Sequence, residues 1–125
     1  MAVREVAVVR LDEKKSKFYA HLYEIDSVED VAEIREVHDR LYKKAAHHCY
    51  AMVCGSASDS RADGEVGSPG RALAEVMERN NLGSHVLMVS RMFGGIKLGP
   101  AGVARAFREA GAGAVAEYMK TRKQL

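Results

Sequence analysis

VLMVSRMFGGIKLGPAGVARAF, residues 86–107, changes character twice. Val86 to Met92 is a short, mostly apolar run of the length that suits one buried strand. Gly94 to Gly99 then turns the chain, and Pro100 brings the fixed φ favoured at the first position of a helix. Val103, Phe107, Ala110, Ala114 and Tyr118 follow at intervals of three and four residues, which lays one apolar stripe along that helix. A strand passing through glycines into an amphipathic helix is a unit of layered domains that mix both element types.

Upstream, Val3 to Leu11 and Lys17 to Ile25 read as two strands joined by the polar loop Asp12 to Ser16. In the second, Phe18, Ala20 and Leu22 alternate with Tyr19, His21 and Tyr23, so one face belongs to the core and the other is expected to stand more open, with Tyr50 beside it. Ser27 and Asp30 have the spacing of a capping box, and Val28, Val31, Ile34, Val37, Leu41 and Ala45 predict a helix to about Ala46. His48 to Cys54 is a third strand, and Gly55 to Gly67 a long polar loop. Ser68 as N-cap and Pro69 at the first position open a second helix, which ends between Asn80 and Gly83. The predicted order is ββαβαβα, an α+β fold in which the helices lie on one side of a mixed sheet as a two-layer α/β sandwich.

A chain of 125 residues suits a single domain spanning residues 1–125. Its 47% apolar and 29% charged residues exclude the disordered and fibrous classes. The longest stretch without Asp, Glu, Lys or Arg runs from Ala45 to Ser58, short of the roughly 18 residues a bilayer span needs, so no membrane partner is expected. Arg4, Glu5 and the charged run Asp12 to Lys15 are unlike a secretory leader, which makes a cytoplasmic protein the expectation. Net charge is only +2, but its distribution is uneven: Arg91, Lys97, Arg105 and Arg108 fall in a segment that holds no acid.

That segment is the first candidate site. A strand running through glycines into a helix start exposes backbone N–H groups to an anion, and Arg91, Gly94, Gly95, Lys97, Gly99, Gly102 and Arg105 form the candidate nucleic-acid or anion contact. It is neither a Walker loop nor G-x-G-x-x-G, and a tight turn with close helix packing is the plain alternative. A second candidate is the loop around Asp63 and Glu65 with His47 and Arg71, where carboxylates serve acid–base chemistry or simply cap a helix. His47, His48, Cys49 and Cys54 lack the paired spacing of a zinc site, and no metal or cofactor is expected. Cys49 and Cys54 would point to opposite faces of a strand, which disfavours a disulfide.

Four segments resemble the YigZ/IMPACT family amino-terminal domain. Lys15 to Ala20 resembles its K-S-x-F-x-A strand, and His47 to Ala51 its H-x-C-x-A strand. Asp63 to Ala72 resembles D-G-E-P-x-G-T-A-G-K-P, one residue short, with Val66 and Ala72 in place of prolines and Pro69 at an alanine position. Arg91 to Phe107 resembles R-Y-F-G-G-I-x-L-G-x-G-G-L-x-R-A-Y. The resemblance implies the fold of the second domain of a small-subunit ribosomal protein. It further implies a link to translation, since eukaryotic relatives bind a kinase activator in starvation control. The ferredoxin-like domain of longer bacterial relatives and the RWD module of eukaryotic ones are not expected in this chain.

The resulting expectation is a non-enzymatic, translation-associated module that engages RNA or a ribosome-bound protein through the basic segment. An enzyme acting on a phosphorylated small molecule or nucleotide is one alternative. A protein-interaction module that pairs through its open sheet face, forming a homo-oligomer or binding another protein, is the other.

Overall fold

The computed structural model describes residues 3–123, and within them the chain forms five strands and three helices. These are β1 (Arg4–Glu13), β2 (Ser16–Glu24), α1 (Asp30–Leu41), β3 (His47–Cys54), β4 (Ala57–Arg61), α2 (Pro69–Arg79), β5 (Ser84–Met92) and α3 (Gly99–Lys123). The strands make one sheet in the order β1-β2-β5-β3-β4. Every pairing in it is antiparallel, so the sheet is not mixed. β5, last in the chain, sits at the centre and is covered on both faces, as its nearly continuous apolar run requires.

The α+β class holds, and the order gains a strand. β4 falls within the segment read as a loop, because Ala57, Ser58, Asp59, Ser60 and Arg61 show no apolar alternation. All five side chains are exposed at the sheet edge, so backbone pairing with β3 forms this strand rather than burial.

The helices do not share one side. Phe18, Ala20, Leu22, Cys49, Ala51, Leu87 and Val89 face α2 and α3, and enclose the main core with Leu73, Met77, Val103, Phe107 and Ala114. Phe18 and Phe107 meet edge to face, 5.1 Å between ring centres. The opposite face carries Tyr23, Met52, Val86 and Met88 and is covered by α1 through Ile34. The sheet side expected to stand open is therefore closed: His21 and Tyr23 are buried, and Tyr19 stacks on Tyr42 at 4.5 Å. α1 also stops at Leu41, where Tyr42 leaves the helical region, and Leu41 is exposed instead of extending the stripe.

α1 is fastened as much by polar as by apolar contacts, since its only fully buried residues are Ile34 and His38. Carboxylates accept, so His21 donates from Nδ1 to Glu5 (2.9 Å), and His48 Nε2 faces Asp39 at 3.3 Å, which places its ring proton on that side. The free Nδ1 of neutral His48 then accepts the Ser90 hydroxyl proton (2.6 Å). With that proton committed, His38 Nδ1 must donate to Ser90 Oγ (2.7 Å), and His38 Nε2 accepts from Tyr23 (2.8 Å). His21 Nε2 and the Tyr42 hydroxyl share a hydrogen bond of 2.6 Å. This assignment satisfies the set with His38 and His48 neutral, the form that their burial favours.

The two helix starts behave differently. Asp30 reaches back to the amides of Asp26 and Ser27 at 3.0 and 3.1 Å, which is the carboxylate half of a capping box. Ser68, in contrast, is left-handed and its side chain makes no cap, although Pro69 opens α2 as expected.

Candidate functional site

β3 and β5 pair so that His47 lies opposite Arg91, both on the face of α2 and α3. Beyond Arg91 the chain turns through Gly94 and Gly95 into α3, and the loop after β4 folds back beside them. Between these segments is a cavity of about 470 Å³ lined by Ala46, His47, Glu65, Val66, Arg91, Phe93, Lys97, Leu98, Gly99, Pro100 and Val103. Residues from both candidate sites thus meet around one opening.

Arg91 and Glu65 form its polar floor. Arg91 Nη1 donates to Glu65 Oε2 at 2.9 Å, with side-chain exposures of only 6% and 4%. Arg91 Nη2 donates to Ser16 Oγ, which also accepts from the Gly94 amide. The guanidinium lies between the rings of Phe18 and Phe93, 5.5 and 5.3 Å from their centres, and its Nε has no partner. The basic segment therefore does not present Arg91 outward, because an internal carboxylate neutralises it. Arg108 likewise has Glu75 at 3.8 Å. Lys97 and Arg105 are exposed, and among the described residues neither has a carboxylate within ion-pair distance.

The loop site is divided. Glu65 and His47 line the cavity, but the Asp63 carboxylate accepts from the His48 amide at 2.8 Å and faces Arg35 at 3.5 Å. Asp63 fastens the loop to β3 and α1 instead of sharing the cavity with Glu65. Arg71 is exposed on α2 and does not line the cavity, nor does Arg105. Of the glycines, Gly99 lines it, while Gly94 packs against Lys15 and Gly102 against Leu98.

His47 Nδ1 is 2.7 Å from the Asp63 carbonyl, which only accepts, so the ring proton sits there. Its Nε2 stands 3.6 Å from Glu65 Oε2. His48 and Cys54 face α1 whereas His47 and Cys49 face α2 and α3, so these four do not converge. Cys49 is fully buried, its thiol donates to the Ala62 carbonyl, and burial pushes its pKa up, which keeps it protonated.

Sequence reading missed the apolar walls, Val66, Phe93, Leu98, Pro100 and Val103. The signal was Phe93 in a glycine turn, where a large apolar side chain stays out of the core; Phe93 is 52% exposed, whereas Leu98 packs against the core edge.

A buried ion pair thus lies under an apolar-walled opening on a small α+β scaffold. The chain belongs to the Impact N-terminal domain family, whose profile matches residues 14–115. It is 35% identical over 116 residues to an IMPACT family member of Haemophilus influenzae, covering 84% of this chain and 54% of that protein. The chain spans about half the length of the bacterial relatives it matches. A crystal structure of a hypothetical protein superposes with a TM-score of 0.84 at 27% identity, over 93% of this chain and 61% of the other. The two-domain translational regulator Yih1 shares the fold, with a TM-score of 0.61 at 22% identity over 91% of this chain and 46% of its own. Among the described residues no helix is long and apolar enough to cross a membrane.

Proposed function

We propose that this chain is a cytoplasmic, translation-associated binding module that engages single-stranded RNA at the junction of β5 and α3. Membership of the IMPACT family, together with the fold shared with the translational regulator Yih1, supports the translational half of this reading. The observation that carries the RNA half is local: Lys97, beside exposed Phe93 and Ile96 where α3 begins without an acid in its first turn, and Arg105 further along that helix are exposed and free of carboxylate partners among the described residues. Cations for phosphates beside an aromatic ring for bases is the usual composition of single-strand readers. Loss of Arg91 to the interior narrows the electrostatic contribution to two side chains.

Titrating a labelled single-stranded RNA at several salt concentrations tests the reading. The log–log slope should include about −0.7 for each phosphate neutralised, so Lys97→Glu and Arg105→Glu should each flatten it by at least that amount. Affinity indifferent to both substitutions rejects the RNA contact. Co-purification of the tagged protein with and without nuclease separates the alternatives, because a ribosome-bound protein contacted directly would survive the nuclease.

A further inference from the structure

We propose that the cavity beneath this junction receives one nucleoside phosphate, with the base inside and the phosphate at the mouth. The inference rests on the RNA reading only for the source of the nucleotide. Its volume of about 470 Å³ falls within the roughly 300–1,000 Å³ of small-molecule sites.

The walls and floor specify different parts of the ligand. Phe93, Leu98 and Val103 supply apolar surface suited to a flat ring. Below them the Arg91–Glu65 pair is nine-tenths buried, an arrangement whose desolvation cost apolar residues of similar volume would avoid. The unpartnered Nε of Arg91 adds to that cost. His47 adds a second polar atom beside the carboxylate, Nε2, while its Nδ1 donates to the Asp63 carbonyl. Nε2 and Glu65 Oε2 stand 3.6 Å apart, so the polar edge of a nucleobase can meet both, its exocyclic amine or ring N–H donating to the carboxylate.

The mouth has the opposite preference. Lys97 is exposed there, Gly99 and Pro100 begin α3 on its edge, and no acid occupies the first turn of that 25-residue helix. Its opening amides and the lysine both favour an anion. Hydrogen-bond donors within, apolar surface between and an anion outside together describe a nucleoside phosphate. A free nucleotide and one unstacked nucleotide of an RNA strand present this same chemistry.

Calorimetric titration with AMP, GMP, CMP and UMP, with the matching nucleosides, and with a single-stranded RNA heptamer tests the proposal. At least one monophosphate should bind. Leu98→Trp, which fills the cavity without touching a charge, should weaken it by roughly 5- to 150-fold, the loss of one stacked base. Lys97→Glu should weaken the monophosphate and spare the nucleoside. Shifts of the His47 and Phe93 resonances on titrating the unmodified chain provide a readout that does not depend on a variant folding. A heptamer that competes with the monophosphate and loses affinity in Leu98→Trp identifies RNA as the source. A monophosphate that binds while the heptamer does not leaves the cavity assignment standing and removes the RNA reading. A heptamer that binds Leu98→Trp and the unmodified chain alike, with no monophosphate displacing it, overturns the cavity assignment and spares the RNA reading. Silence from every probe overturns both.

Discussion

Gly94 and Gly95 are adjacent and look equivalent in sequence, yet their surroundings differ. A Cβ on Gly94 would lie 2.0 Å from the Lys15 carbonyl oxygen and 2.2 Å from its carbon, and that backbone belongs to the β1–β2 turn. A Cβ on Gly95 meets nothing within 4 Å, although φ there is +92°. Gly94→Ala should therefore cost about 1–3 kcal/mol through overpacking, and Gly95→Ala only about 1 kcal/mol of backbone strain. Urea unfolding checks the order, and equal losses would contradict the packing account. The ion pair makes a second contrast. Glu65→Leu alone leaves a buried guanidinium unpaired and should cost about 3–5 kcal/mol, whereas Glu65→Leu with Arg91→Met should recover most of the loss. If the pair serves binding, the double variant regains stability and still fails to bind; recovery of both would make the pair purely structural. Sequence placed Glu65 and His47 in one candidate site and Arg91 in another. Their convergence came from the antiparallel pairing of β3 with β5, which no local pattern encodes.

At the scale of elements, β5 and α3 were legible because each buries a strong apolar pattern, while β4 was not because it buries nothing. The placement of α1 was equally hidden. Its stripe announces a helix but not which face of the sheet it covers, and His21, His38 and His48 read as ordinary polar residues until they close beneath it. Their closure has a pH consequence. Burial first, then the neighbouring imidazoles and Arg35, pull the pKa of His38 down to about 3, and burial also lowers His48. Glu5 and Asp39 are the carboxylates facing the network; Glu5 accepts from His21, and Asp39 stands 3.3 Å from His48. Because the folded value lies below the unfolded value of about 6.5, the unfolded chain binds more protons in between. The stability that neutral His38 contributes is complete above pH 6.5 and is lost as pH falls toward 3, at about 1.4 kcal/mol per pH unit. Urea midpoints measured from pH 7 to 4.5 should show this slope, and His38→Gln should remove about one proton from it. An unchanged slope in the variant would mean that His38 is not held neutral. Hydrogen exchange should place the first loss of protection in α1.

Viewed whole, the molecule closes its core on both sheet faces within the described residues, which leaves the two sheet edges and the exposed apolar side chains as routes to self-association. The edges are guarded. β1 carries Arg4, Glu5, Arg10 and Asp12 and a register shift between Glu5 and Ala7, and β4 is short and polar. Of the large exposed apolar residues, Val8, Val28 and Leu41 lie on separate segments, whereas Val66 and Phe93 line the cavity and Ile96 adjoins Lys97 of its lining. The pairing of copies through an open sheet face, entertained from the sequence, has lost its surface because α1 covers it. Light scattering over a concentration series should accordingly return the mass of one chain. Any association at the highest concentrations should run through the mouth, vanish in Phe93→Ser and be suppressed by a nucleotide that fills the cavity. A dimer that persists in Phe93→Ser and ignores such a ligand would show that a guarded edge pairs after all, and would move the interaction surface away from the β5–α3 junction.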